Sequence, residues 1–261
     1  MEWISKLFKA QDSRISNQKV LNRQYLKKIY KNLNNETDLV LSGHKFQDID
    51  AETFTNLTNI INIRLGLNKL QRIEKETFSG LINLKIIWLN NNQLQHIDKE
   101  VFSGLYNLTH IKLCFNRLLQ IDKQILNGLI NLTVIDLSFN QLQQIDNETF
   151  KCLVSLTHIW LNNNQLHQIE KQTFNGLNNL KEIYMSNNRL KQIDKDIFKC
   201  LSKLTTIELH NNKFKDETQL ELNLERNVQF VSFRSGQVWL KVTNDLSLIK
   251  QVYKFMNLFD I

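Results

Sequence analysis

The sequence contains no proline and only seven glycines among its 261 residues. Without proline, collagen and proline-rich linkers or ligands are excluded. The glycines are too widely spaced to form GxGxxG or GxxxxGK[ST], so these phosphate-binding loops are excluded as well. No run of 18 apolar residues occurs, and we therefore expect no membrane-spanning helix.

Motifs for catalysis and metal binding are also missing. No GxSxG nucleophile elbow is present. His110 and Cys114 share one strand of the repeat described below, but His158 lies two strands away, about 10 Å at ordinary strand spacing. That span is too large for a single zinc ion. We expect no catalytic residue, no metal, no cofactor and no small-molecule substrate.

The charge of the chain is concentrated at its beginning. Residues 1–35 hold eight Lys or Arg and two acids, whereas the other 226 residues hold 25 basic and 24 acidic residues. The body is therefore nearly neutral, and no nucleic-acid partner is expected. The basic segment MEWISKLFK, which contains Trp3 and Phe8, could make weak contact with a membrane surface.

The cellular compartment is predicted from the N-terminus and the three cysteines. MEWISKLFKAQDSR has charges in every apolar stretch, unlike a secretory signal. The cysteine count is low and odd, which is atypical of a disulfide-rich extracellular scaffold. Both features favour the cytoplasm. The alternative is an extracellular protein whose N-terminus is incomplete here, and Asn-x-Thr sequons at Asn35, Asn56, Asn107, Asn131 and Asn147 would suit it.

The dominant feature of the sequence is a 24-residue repeat. Asparagine recurs every 24 positions, at Asn68, Asn92, Asn116, Asn140, Asn164, Asn188 and Asn212. Phenylalanine recurs in the same register at Phe54, Phe78, Phe102, Phe150, Phe174 and Phe198, with Leu126 in the remaining place. The consensus is LxxIxLxxNxLxxIxxxxFxxLxx, with copies starting at residues 36, 60, 84, 108, 132, 156, 180 and 204.

This pattern resembles the leucine-rich repeat family, in its 24-residue class, over about 200 residues. The resemblance implies an α/β repeat solenoid: a curved horseshoe with a parallel β-sheet on its concave face and short helical turns and loops on its convex face. It also implies that the chain binds proteins or other ligands.

Each column of the repeat has an expected structural role. The Asn carboxamides should satisfy backbone groups left unpaired by the tight turn. The Phe column should form a buried spine, and the acids that follow the second Ile should cap the convex turns. Glycines such as Gly104 should permit a left-handed backbone. Cys152 and Cys200 lie two repeats apart, so neither should form a disulfide within the stack.

Three segments are predicted along the chain. Residues 1–35 form a basic, amphipathic N-terminal helical cap, with Leu21, Tyr25, Ile29 and Leu33 at helical spacing. Residues 36–227 hold the eight repeats. Residues 228–261 form a degenerate ninth strand and a C-terminal cap helix over residues 244–259.

The candidate binding site lies on the outward positions of the sheet strands. Exposed aromatic residues beside charged ones are typical of interaction hot spots. The site residues predicted for the concave face are Arg64, Trp88, His110, Lys112, Asp136, His158, Trp160, Tyr184 and Glu208.

These patterns predict a noncatalytic protein-interaction scaffold with a protein partner of unknown identity. The alternatives are an extracellular or receptor-type recognition module of which this chain is a fragment, and accessory membrane contact through the N-terminus. An enzyme with a repeat scaffold is disfavoured, because the segment after the repeats is too short to hold an active site.

Overall fold

The computed structural model describes residues 19–214 and the two strands Phe230–Ser232 and Leu240–Lys241. One ten-stranded sheet runs the length of this part of the chain. Except for the last strand, successive strands are parallel and in register at 24-residue spacing, so that, for example, Trp88 lies beside Lys112 and Trp160 beside Tyr184. Stacked coils of this kind form a solenoid of about eight turns, as the repeat predicted.

The chain begins with β1 (Val20–Leu21) and α1 (Arg23–Ile29). The large sheet comprises β2 (Asp38–Val40), β4 (Asn62–Arg64), β6 (Ile86–Trp88), β8 (His110–Lys112), β9 (Val134–Asp136), β10 (His158–Trp160), β11 (Glu182–Tyr184), β12 (Thr206–Glu208), β13 (Phe230–Ser232) and β14 (Leu240–Lys241). Only β14 runs antiparallel to its neighbour in this sheet. Two small parallel pairs join β1 to β3 (Asp48–Ile49) and β5 (Arg72–Ile73) to β7 (His96–Ile97).

The asparagine column forms a ladder of buried hydrogen bonds. Asn140 Oδ1 accepts from the Leu118 backbone N–H of the preceding repeat at 3.1 Å. Its Nδ2 donates to the carbonyls of Leu113 and Leu137 at 3.0 and 3.1 Å. Each rung therefore joins two repeats and pairs backbone groups that the turn leaves without strand partners.

The phenylalanine column forms the buried spine that the sequence predicted. All six rings are at most 1% exposed. Phe54 and Phe78 stack with ring centroids 5.9 Å apart, and Phe150 and Phe174 do so at 6.4 Å. The row of aromatic rings is interrupted at Leu126, which is also buried.

The convex side is built from tight turns rather than helices. The Leu57 N–H donates to the Phe54 carbonyl at 3.1 Å. This hydrogen bond closes a single turn that does not continue into a helix. Asp50 and Asp98 cap such turns by accepting from the N–H two residues later, at 3.0 and 2.8 Å. Gly104 has a φ of +79°, the left-handed conformation expected of it.

The N-terminal helix is shorter than the sequence suggested. Asn22 caps α1 by accepting from the Tyr25 N–H at 2.9 Å, while Val20 and Leu21 pair as a strand with β3. Tyr25, Leu26 and Tyr30 are buried against the first repeat. The Val40 N–H on the edge strand β2 donates to the Tyr30 hydroxyl at 2.7 Å. The helix therefore covers one open end of the core.

Other terminal predictions lie outside the described residues. These are the segment MEWISKLFK and the helix over residues 244–259. The three segment boundaries also remain predictions. All three cysteines are free, with Cys114 buried and Cys152 and Cys200 exposed.

Candidate functional site on the open sheet face

The predicted site residues occupy one face of the sheet, here called the open sheet face. In β4, β6 and β8 to β12, each strand buries its middle side chain and leaves the first and third half-buried, as in β8, where Ile111 is buried between His110 and Lys112. This alternation follows from the two-residue period of a strand. The sheet register brings the third positions of neighbouring strands into one row, which contains Arg64, Trp88, Lys112, Asp136, Trp160, Tyr184 and Glu208. Their role in binding remains a prediction.

In the first half of the row, Trp88 lies between two cations. The Arg64 guanidinium carbon is 5.0 Å from the Trp88 ring centroid, and Lys112 Nζ is 4.7 Å from it. Arg64 Nη1 also lies 3.4 Å from Asp38 Oδ1. The indole is thus held by cation–π contacts within the protein, with positive charge on both sides.

In the second half, the aromatic rings stack on one another. The His158 and Trp160 ring centroids are 5.5 Å apart, and Trp160 and Tyr184 are 5.6 Å apart with planes only 4° from parallel. The Tyr184 hydroxyl donates to Glu182 Oε2 at 2.6 Å. Glu182 Oε1 lies 3.7 Å from His158 Nε2. This aromatic group therefore has a carboxylate beside it rather than a cation.

Burial and neighbouring charges shift the pKa values of three side chains on this face. Burial raises the pKa of Glu208, and the nearby Glu182 carboxylate adds to the rise, while His210 opposes it. Burial and the hydrogen bond to Glu182 also raise the pKa of Tyr184. The pKa of His110 is lowered by burial and by the positive charge of Lys112, with a smaller effect of His158.

The structure differs from the sequence expectation in how these side chains are supported. Trp88, Trp160 and Tyr184 are half-buried by their neighbours in the row and do not stand alone on the sheet. The Asp136 carboxylate already makes local hydrogen bonds, because its Oδ1 accepts from the Ser138 N–H and hydroxyl at 3.0 and 2.6 Å. These aromatic side chains are therefore held in place by contacts within the protein.

Sequence reasoning did not include Asp38 and Glu182 among the site residues. Both lie at the first position of their strands, on the same face as the predicted residues, and both contact them directly. The 24-residue spacing already placed Asp38 on the strand next to that of Arg64, and Glu182 lies two residues before Tyr184 on the same strand. What the spacing could not give was the side-chain direction that brings them into contact.

Within the described residues, no cluster of three or more His, Cys, Asp or Glu has the arrangement of a metal site. None of the helices described there has the length and apolar character needed to span a bilayer.

Family comparison agrees with this architecture. The model of the family described as leucine rich repeat matches residues 37–87, 62–113, 82–124, 106–166 and 156–214. The chain belongs to the leucine-rich repeat family. Members of this family typically serve as binding modules for other proteins. None of the curated proteins matches the sequence.

Two solved structures of complexes contain solenoids similar to this chain. The first, a TLR13–ssRNA13 complex, has a TM-score of 0.75 and 26% identity over 85% of this chain and 32% of that one. The second, the Toll–Spatzle complex from Drosophila, has a TM-score of 0.61 and 22% identity over 81% of this chain and 34% of that one. The chain spans about a third of the length of each.

These neighbours bear on the predicted compartment and partner. They give no support to the cytoplasmic location favoured from the sequence, and they fit the receptor-type alternative. The TLR13 complex contains RNA. The exclusion of nucleic acid from net charge is therefore not supported by the comparisons.

Proposed function

We propose that this chain is a noncatalytic recognition protein that captures a protein partner on the open sheet face. The observation that carries the proposal is the row of half-buried aromatic side chains, Trp88, Trp160 and Tyr184, held in place by neighbouring charged residues. Large, rigid aromatic side chains beside charges are the usual centres of protein interfaces. An interaction role is also the common function of the family.

The two halves of the row favour partner groups of opposite charge. Trp88 already has a cation on either side, so a partner carboxylate is the favoured neighbour of Arg64 and Lys112. The Trp160–Tyr184 stack has Glu182 and Glu208 beside it, which favours a partner lysine or arginine. The two tryptophans are three strands apart, about 14 Å at ordinary strand spacing. Such an arrangement would orient the partner along the solenoid.

The test is partner capture by a Trp88→Ala, Trp160→Ala double variant of the full chain. We expect capture of the partner isolated with the wild-type chain to fall by about 100-fold or more, since two anchor residues are removed. The melting temperature should change little, because neither side chain belongs to the buried core. Tyr106→Ala is the matched control, since Tyr106 is 60% exposed and lies outside the sheet.

Capture by the double variant at the wild-type level would move the binding site away from the open sheet face. An equal loss of partner capture by the Tyr106→Ala control would mean that the assay detects nonspecific adsorption to exposed aromatic side chains.

The second candidate function is ligand recognition by an extracellular, receptor-type module. The similarity to the TLR13 and Toll solenoids favours it. Asn107 and Asn131, two of the sequon asparagines, are exposed, so that a glycan could be attached there. Intact mass of the protein from its native source tests this candidate. Added glycan mass would support export, whereas an unmodified mass near 30.9 kDa would contradict it.

A further inference from the structure

The second half of the row on the open sheet face carries an excess of negative charge. Strands β9 to β12, each with one residue before it and two after it, span residues 133–138, 157–162, 181–186 and 205–210. These segments hold three carboxylates, Asp136, Glu182 and Glu208, and a single Lys or Arg, Lys181. The Lys181 side chain is exposed just before β11 and forms no ion pair with the described residues. Asp136 lies beside Lys112 in the sheet register, but Glu182 and Glu208 have no Lys or Arg as a register neighbour.

The contacts of Glu182 and Glu208 involve no lysine or arginine in the described part of the chain. Glu182 Oε2 accepts from the Tyr184 hydroxyl at 2.6 Å, and its Oε1 lies 3.7 Å from His158 Nε2. Burial raises the pKa of Glu208, while the charges of His210 and Glu182 act on it in opposite directions. A carboxylate offers about four acceptor positions, so both side chains can still accept hydrogen bonds from a partner.

The first half of the row shows how the chain itself places a cation between a ring and a carboxylate. The Arg64 guanidinium carbon lies 5.0 Å from the Trp88 ring centroid, and Arg64 Nη1 lies 3.4 Å from Asp38 Oδ1. One planar cation therefore contacts side chains on the strands at both sides of its own. In the second half, among residues 19–214, no Lys or Arg lies over the Tyr184 ring.

Tyr184 lies between Trp160 and Glu208 in the row. Trp160 stacks on it from β10, with ring centroids 5.6 Å apart, and Glu208 is its register neighbour on β12. Neighbouring strands are about 4.8 Å apart, which is within the distance of about 6 Å at which a cation interacts with an aromatic ring. A guanidinium that lies above Glu208 would therefore contact both its carboxylate and the Tyr184 ring.

The chemistry of this position favours arginine over lysine. A guanidinium is planar, stacks on aromatic faces and carries five N–H donors, so it can donate to two carboxylates while it lies against a ring. A lysine ammonium is a compact, strongly hydrated charge that cannot stack in this way. Glu182 and Glu208 lie on adjacent strands, and their charges repel one another. One forked donor between them would also relieve that repulsion.

We propose that Tyr184, Glu182 and Glu208 form a subsite for an arginine side chain of the protein partner, at which lysine binds much more weakly. The proposal rests on the proposed function, since it names the partner residue that this half of the open sheet face recognises. The two halves of the row then differ in the source of their cation. Trp88 has its cations from the chain itself, whereas Tyr184 receives one from the partner.

The test uses random peptides displayed on phage and selected on the full chain at about pH 8, where histidine is ordinarily neutral. Peptides that bind the open sheet face are identified by their loss of binding to the Trp88→Ala, Trp160→Ala double variant. We expect these peptides to share an arginine. Replacing that arginine by lysine should weaken binding by at least about tenfold, and so should a Glu182→Gln, Glu208→Gln variant of the chain.

The two replacements should not be additive. On the Glu182→Gln, Glu208→Gln variant, the lysine and arginine peptides should bind within about threefold of each other, because the carboxylates that distinguish them are gone. Glutamine at position 182 can still accept from the Tyr184 hydroxyl, so the melting temperature should not fall. The matched control is Glu76→Gln, Glu100→Gln, which removes two exposed carboxylates from the convex side and should leave the preference for arginine unchanged.

The outcomes separate the subsite from the proposed function. If the peptides that need the two tryptophans accept lysine as readily as arginine, or bind the glutamine variant unchanged, the subsite is overturned and the proposed function stands. A selection that yields no peptide dependent on the two tryptophans would also overturn the subsite. Capture of the native partner by the tryptophan double variant then decides separately whether the open sheet face binds a protein.

Discussion

At the scale of single residues, the asparagine ladder was the most predictable feature of the molecule. A carboxamide at fixed spacing next to a tight turn has one chemically reasonable role, because it can both donate to and accept from the backbone. The seven asparagines have this role, and the first six of them are buried. The contacts of Trp88 and Trp160 were not predictable in this way, since they depend on the directions of long side chains on an exposed face.

Replacing one ladder residue should destabilise the whole solenoid. Asn140→Ala leaves the Leu118 N–H and two carbonyls without their partner in a buried place. We expect the free energy of unfolding to fall by about 1–3 kcal/mol. Denaturant unfolding measures this, with Asn127→Ala as the control, because Asn127 is exposed on the convex side. Equal stability of the two variants would contradict the ladder's role.

Glu208 should reduce stability at neutral pH, where its half-buried carboxylate is ionised. Its pKa is raised in the folded state, so the folded protein binds the proton more readily than the unfolded chain. Stability should therefore decrease as the pH rises through the window just above the ordinary glutamate value. Glu208→Gln removes this effect, so the variant should melt higher than the wild type at pH 7, and the difference should vanish below about pH 4.

The test is to measure the melting temperatures of the wild type and of Glu208→Gln across that pH range. A wild type that melts higher than Glu208→Gln at pH 7 would mean that Glu208 is held by a stabilising partner. A carboxylate kept at a cost to folding is instead what the proposed contact with a partner cation requires.

At the scale of elements, the strands and the spine followed from the repeat, whereas the ends and the turns followed less well. Strand positions could be predicted because the second to eighth copies each place a buried Ile between two half-buried residues. The N-terminal helix was predicted too long, since spacing alone does not show that Asn22 starts it or that Val20 and Leu21 pair with β3.

The phenylalanine spine should tolerate leucine but not alanine. Phe150 is fully buried and stacks on Phe174, so Phe150→Ala should lower the free energy of unfolding by about 3–5 kcal/mol through the cavity it leaves. Phe150→Leu is the matched variant, because Leu126 occupies this slot in the preceding repeat. Its loss should stay below about 1.5 kcal/mol.

Chemical unfolding of both variants checks this. Similar losses for leucine and alanine would mean that the slot requires an aromatic ring, and that the repeat with Leu126 is packed differently from the others.

At the scale of the whole molecule, the function depends on which face of the solenoid binds a partner. The repeat determined the architecture and the family, but an interface depends on exposed side chains that the consensus leaves free. The candidate face in this structure is the open sheet face around Trp88 and Trp160. Tyr106 lies outside it.

Hydroxyl-radical footprinting of the chain with and without its captured partner tests the central claim most directly. We expect Trp88, Trp160 and Tyr184 to become protected from oxidation in the complex, while Tyr106 reacts as in the free chain. Unchanged oxidation of the two tryptophans, together with protection elsewhere on the chain, would contradict binding at the open sheet face.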